Sequence, residues 1–226
     1  MLPRVLEAEV MDTIDEAIDY DAMDHSTVNR AFVDDFLTAL SLAAKPRDGV
    51  WKVFDAGTGT ALIPLELASR GVPVRIVAAD AAVHMLELAR RNIAKAGKSA
   101  AIECVQRDCK RLPDAEASFD AVMSNSIVHH IPEPKGVLAE CWRILRPGGL
   151  LFIRDLMRPS DATTLEQLVN QYAGDANPHQ QQMFRDSLHA ALTVEEVAAV
   201  LHSLGIPAQW VRATSDRHWT IRGVKA

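Results

Sequence analysis

The chain has 226 residues, 48% of them hydrophobic and 24% charged, which suits one soluble domain with a substantial core. Its formal net charge is −6 and no basic stripe runs through it, so DNA or RNA is not an expected partner. Neither a secretory signal nor a run of roughly 18 uncharged apolar residues is found, so no membrane span is expected. Three cysteines without paired spacing, Cys104, Cys109 and Cys141, argue against disulfides and for a reducing, cytoplasmic setting.

Residues 1–48 read as largely helical, with the polar stretch Tyr20-Asp21-Ala22-Met23-Asp24-His25 ahead of a more regular helix. A short apolar run at 50–56 predicts a buried strand, leading into a helix over 60–69 that stops near Gly71. A second strand at 74–79, a helix over 81–96 closed by Gly97, and a third strand at 100–105 follow. A fourth strand spans 118–124. Pro134 then opens a helix to about Leu145, as proline favours the first turn. Pro147-Gly148-Gly149 reads as a turn before a fifth strand at 150–154. Apolar strands alternating with helices predict a parallel sheet covered on both faces.

The chain ends differently. Residues 209–214 and 218–224 both read as strands, with Ser215-Asp216 between them. So short a turn joins only antiparallel strands, because a parallel crossover needs a dozen residues or more. Between the fifth strand and this hairpin, residues 157–204 hold two or three helices. His179-Gln180-Gln181-Gln182 reads as a solvated helix start, and Thr193 with Glu196 as a capping box. No linker divides the chain, so 1–226 is read as one domain.

The most informative stretch is Val53-Phe54-Asp55-Ala56-Gly57-Thr58-Gly59-Thr60, at the carboxyl end of the first strand and the start of a helix. Ligands of open α/β sheets bind there. Glycines let backbone approach a ligand closely, and the helix start offers unpaired N–H groups. The third glycine of a dinucleotide fingerprint is replaced by Leu62, and the lysine of a P-loop is missing. Asp80 ends the second strand roughly twenty residues on, where an acid that binds ribose hydroxyls belongs. Asp108 follows the third strand. Each acid could instead be a helix cap or turn residue, but three at successive strand ends argue for a nucleotide-like ligand.

With those residues in place, the chain resembles the class I S-adenosylmethionine-dependent methyltransferases, in their small-molecule, ubiquinone/menaquinone-biosynthesis-like branch. The resemblance covers roughly 50–155 through DAGTG, AADAAVHMLELAR, RDCKRLP, FDAVMSNSIVHHIPEP and LRPGGLLFIRD, and extends to the closing hairpin. It implies a Rossmann-like, doubly wound, mainly parallel seven-stranded sheet with an antiparallel C-terminal hairpin. On this reading 1–48 is a helical lid, 49–156 the cofactor core, 157–204 a helical substrate-side segment and 205–226 the closing hairpin. The implied cofactor is S-adenosylmethionine, leaving as S-adenosylhomocysteine. The resemblance puts Gly57, Thr58 and Gly59 against its methionine part, Asp55 near its ammonium, and Asp80 on the ribose. It puts Asp108 at the adenine amino group, with Cys109 beside the ring. Ser124 and Asn125 would line the gap toward the methyl acceptor, and Tyr20 is the candidate for a lid.

Two absences narrow the acceptor. No Asn-Pro-Pro-aromatic loop follows the fourth strand, and no Pro-Cys nucleophile is present, the cysteines reading as core or cofactor-wall residues. Parallel strands share one carboxyl edge, which nominates His129 or His130 as base or orienting group. It nominates Arg154, Asp155, Arg217 and His218 for the substrate side. The histidines could equally be structural. Arg154, Asp155, Asp216 and Arg217 could simply pair, and Trp219 could line a pocket or fill the core. No ligand spacing predicts a metal. Three other functions fit the elements less well: a nicotinamide-dependent oxidoreductase, a non-catalytic S-adenosylmethionine-binding scaffold, and a sulfonium-binding enzyme of other chemistry. The hairpin edge is a surface on which a homodimer could form.

Overall fold

The computed structural model of the chain describes residues 2–7, 13–22 and 26–226; Met23, Asp24 and His25 of the polar stretch lie outside the described residues. Among the described residues seven strands form: β1 (Trp51–Ala56), β2 (Val74–Asp80), β3 (Ile102–Gln106), β4 (Phe119–Asn125), β5 (Leu145–Leu156), β6 (Val211–Ala213) and β7 (His218–Val224). They make one sheet in the order β3-β2-β1-β4-β5-β7-β6. β1 lies parallel between β2 and β4, with Asp55 opposite Ala78 and Met123. β6 and β7 are antiparallel, as so short a connection, residues 214–217, requires. The expected mainly parallel sheet with a reversed ending is the observed one.

Among the described residues eight α-helices complete the fold: α1 (Ile14–Ala22), α2 (Ser26–Leu40), α3 (Leu62–Ala68), α4 (Val83–Lys95), α5 (Lys135–Ile144), α6 (Ala162–Ala173), α7 (Pro178–Ala190) and α8 (Val194–Ser203). The Thr193–Glu196 capping box is present at α8, and Glu196 also takes Arg158. α7 starts with a second box, Asn177 with Gln180, around Pro178. Among the described residues no helix is long and apolar enough to cross a membrane.

Three local readings change. Pro147-Gly148-Gly149 is not a separate turn but lies within β5. Gly148 holds φ at +74°, and its N–H donates to Lys225 O while the Lys225 N–H donates to Gly149 O. A Cβ at Gly149 would come within 2.7 Å of Asp120 O, so the strand can begin early only with glycine there. Pro207 starts a 3-10 turn over Ala208–Trp210, which shortens β6 from the expected 209–214. Residues 2–7 are not helical. Their backbone is hydrogen-bonded at Leu2 to Ser160 and at Val5 to His189, and Pro3 lacks the N–H a helix would use further in.

The chain forms two compact units, Met1–Glu9 with Ser126–Lys135 and Arg154–Ile221, and Val10–Asn125 with Gly136–Ile153 and Arg222–Ala226. In the second, α2 buries Phe32, Val33 and Phe36 against Val53, Ile76, Met123 and Phe152. Phe152 makes T-shaped contacts with Phe32 and Phe36, at 5.1 and 5.8 Å between ring centres. In the first, α6 packs Leu165, Leu168 and Val169 on Leu156 and Leu188. Trp219 is fully buried, which resolves it as a core residue.

Because Phe152 fills the seam between α2 and the sheet, Phe152→Ala should lower unfolding free energy by about 3–5 kcal/mol. Urea denaturation followed by tryptophan fluorescence measures this. A loss under about 1 kcal/mol would show that α2 does not depend on that seam.

Candidate active site

The loop after β1 is folded back onto the end of β2. Gly57 N–H and Thr58 N–H both donate to Ala79 O, at 2.8 and 2.9 Å. Gly59 N–H donates to Asp80 Oδ2 at 2.8 Å, and the other oxygen of Asp80 accepts from Ala82 N–H at 2.9 Å, just before α4. Gly57 and Gly59 take φ of +70° and +53°, values that glycine adopts without steric cost. Ala61 takes +64°, with its N–H donating to Thr58 O, and α3 begins directly after it.

This fold-back creates a pocket of about 320 Å³, counting space open to solvent, lined by Tyr20, Asn29, Asp55, Gly57, Thr58, Thr60, Leu62, Ile63 and Asn125. Tyr20, Asp55, Gly57, Thr58 and Asn125 were nominated from sequence; the other four were not. Thr60, Leu62 and Ile63 follow the glycine loop directly, and Leu62 had stood out there only as a departure from glycine. Asn29 carried no signal, because α2 reaches the pocket by tertiary packing. Asp55 is 2% exposed. Burial lifts its carboxyl to about 7, with Asp80 adding to the rise and Thr58 opposing it. Asn125 Oδ1 and Thr60 Oγ1 are buried without a hydrogen-bond partner. A Cβ at Gly59 would lie 3.5 Å from Tyr20 Cε1, so the tyrosine ring packs over the loop. Burial pushes the Tyr20 phenol up to about 12. Asn92 holds α1 in position, its amide donating to Asp21 Oδ1 at 2.9 Å and to Thr60 O at 3.2 Å.

The other nominees of this unit stand as follows. Ser124 is buried and its hydroxyl donates to Ala56 O at 2.8 Å, tying β4 to β1. Asp108 is exposed and closes its own turn by accepting from Lys110 N–H at 2.9 Å. Cys109 is buried and burial pushes its thiol up to about 12, so it stays protonated and is no nucleophile.

The remaining nominees belong to the other unit. Asp155 is fully buried, accepting from the N–H groups of Val128, His129 and Leu156 and meeting His129 Nδ1 at 2.5 Å. Burial alone would raise its pKa; the charge and hydrogen bond of His129 reverse this and hold it low. Burial likewise pulls His129 down, and Asp155 outweighs it, leaving the imidazole above its usual value. His129 Nε2 lies 3.4 Å from Glu7 Oε1, and His130 Nδ1 lies 3.1 Å from the same oxygen. Glu7 was not foreseen, and neither was Arg4. The Arg4 guanidinium donates to the carbonyls of Ala190, Pro132, His129 and Ile131, fixing the N-terminal segment on the histidine loop.

The charged set at the sheet edge is engaged locally. Arg154 is buried and donates to Thr220 Oγ1 at 3.0 Å. Arg217 Cζ stacks 3.3 Å from the centre of the Tyr172 ring and its Nη1 lies 3.5 Å from Asp216. The Tyr172 hydroxyl donates to Asp216 Oδ2. Burial, with Arg217 and Arg154 nearby, pulls His218 down to about 4, so it is neutral at physiological pH. Its Nδ1 meets Ser215 Oγ at 2.9 Å.

Comparison with known proteins adds identity to this geometry. A family model described as "Methyltransferase domain" matches residues 54–153. A demethylmenaquinone methyltransferase of Deinococcus radiodurans is 39% identical over 123 residues, 54% of this chain and 48% of that protein. A ubiquinone biosynthesis O-methyltransferase of Methylocella silvestris is 34% identical over 51% of this chain and 43% of its own. The chain thus spans about half the length of the curated relatives it matches. The crystal structure of a putative S-adenosylmethionine-dependent methyltransferase from Methanococcus maripaludis aligns with TM-score 0.75 at 20% identity, covering 98% of both chains, and shares the fold. Sequence motifs and strand order agree with these similarities: residues 54–153 match a methyltransferase domain, and the whole chain has the fold of a solved methyltransferase.

Proposed function

We propose that the chain transfers a methyl group from S-adenosylmethionine to a small-molecule acceptor. The observation that carries this reading is the pocket in which the glycine loop, the buried Asp55 and the unpartnered Asn125 Oδ1 come together at the carboxyl end of β1. The residues present fit such a ligand: a carboxylate for an ammonium, buried oxygens for donors, and bare backbone where it must approach closely. When bound, the cofactor supplies an already activated methyl group. The chain's own residues orient it and keep water out.

On this proposal Asp55 meets the ammonium, and Gly57, Thr58 and Gly59 lie along the methionine portion. Asp80, held by the Gly59 and Ala82 N–H groups, binds the ribose hydroxyls. Asp108 and Cys109 flank the adenine, Ser124 and Asn125 form the inner wall, and Tyr20 covers the loop. The printed names of the relatives, demethylmenaquinone and ubiquinone-biosynthesis methyltransferases, support a small molecule as acceptor. A net charge of −6 supports the same choice over nucleic acid, and three free cysteines support a cytoplasmic setting.

Thermal unfolding with S-adenosylmethionine, S-adenosylhomocysteine and NAD in separate samples tests the reading. The two sulfur nucleotides, at about 100 times their dissociation constants, should each add about 2.7 kcal/mol, and NAD nothing. Stabilisation by NAD alone would turn the assignment to an oxidoreductase.

The raised carboxyl of Asp55 predicts a pH signature. Its folded pKa of about 7 stands above its ordinary value, so its contribution to stability is present in acid and lost as pH rises through 7. The ammonium-binding form is the ionised one. S-adenosylmethionine affinity by calorimetry should therefore rise roughly tenfold between about pH 6 and about pH 7.5. Asp55→Asn should bind weakly with no such slope. A slope that survives the substitution would take Asp55 out of the contact.

A further inference from the structure

We propose that Glu7, His129 and His130 form a binding site for a divalent metal of the zinc class, with Asp155 as the group that orients His129. The three ligand atoms, Glu7 Oε1, His129 Nε2 and His130 Nδ1, all lie within 4.8 Å of one another. Bonds of about 2.0–2.1 Å in a tetrahedron place neighbouring ligand atoms about 3.4 Å apart. The observed separations from Glu7 Oε1, 3.4 Å to His129 Nε2 and 3.1 Å to His130 Nδ1, match that edge.

The surroundings are those of a prepared site. His129 gives its Nδ1 to the buried Asp155, which fixes the ring and directs Nε2 toward Glu7, the carboxylate–histidine arrangement that supports metal ligands. Asp155 also accepts from Val128 and His129 N–H, locking the 3-10 turn Val128–His130 that carries both histidines. Glu7 is held from the other side. Its Oε2 accepts from Ser187 Oγ at 3.2 Å, while Oε1 is buried and accepts no hydrogen bond. Arg4 and Val5 secure the segment that presents it. Two imidazoles and one carboxylate suit zinc far better than magnesium, and three protein ligands leave a fourth position for water or an oxygen ligand.

The competing explanation is a buried Glu–His–Asp network that shares protons and needs no ion. Calorimetric titration of the chelator-stripped full chain with Zn²⁺, and separately with Mg²⁺, decides between them. One Zn²⁺ should bind per chain and Mg²⁺ should not. Glu7→Gln and His130→Gln, both at the rim of the cluster, should each weaken Zn²⁺ at least tenfold while circular dichroism stays unchanged. Co²⁺ should give a visible absorption band that both substitutions abolish. Absence of stoichiometric Zn²⁺ binding, or binding that neither substitution weakens, overturns the site. The readout is metal binding alone, so its failure would leave the methyl-transfer reading untouched.

Discussion

The unit that holds the pocket rests on the attachment of the β1–α3 loop to the end of β2. Three successive N–H groups, from Gly57, Thr58 and Gly59, are spent on Ala79 O and the Asp80 carboxylate. Without these bonds the loop would have three buried or half-buried donors to satisfy and no defined path, and α3 would have no fixed start. With them, backbone stands bare at the mouth of the sheet beside the buried Asp55. Asp80 bonds both the loop and the start of α4, so one carboxylate sets the geometry of two helix entries.

Two buried aspartates illustrate how surroundings decide ionisation. Asp55 and Asp155 both end apolar strands and both are nearly or fully inaccessible. Desolvation acts on each in the same direction. Asp55 has only Thr58 to oppose it and Asp80 to add to it, and it rises to about 7. Asp155 faces His129 and three N–H donors, which overcome the burial and hold it ionised. The first has no cationic partner among the groups that set its ionisation. The second is bonded to His129 Nδ1 and holds that histidine still.

The nominees drawn from strand ends separate along the same line. The glycine loop, Asp55 and Asn125 converge because strand geometry alone carries them to one edge. The charges at the end of β5 and in the hairpin are engaged locally: Arg217 with the adjacent Asp216, a pairing legible in the sequence, and Arg154 with Thr220 and Arg217 with Tyr172, which sequence spacing does not reveal.

What the sequence determined by itself was the order of strands and helices, the reversed hairpin and the glycine-acid loop, since each follows from local periodicity, turn length or residues adjacent in the chain. The β5 start at Leu145 was hidden because its bonds go to Lys225 at the far end of the chain. Asn29, Glu7 and Arg4 were hidden for the same reason: their roles depend on packing between segments distant in sequence, where no period or motif connects them. His129 and His130 were visible as a pair. Only the tertiary structure supplied Asp155 behind them and Glu7 in front, because a carboxylate's direction is decided by the backbone N–H groups and hydroxyls that hold it, not by its position in the chain.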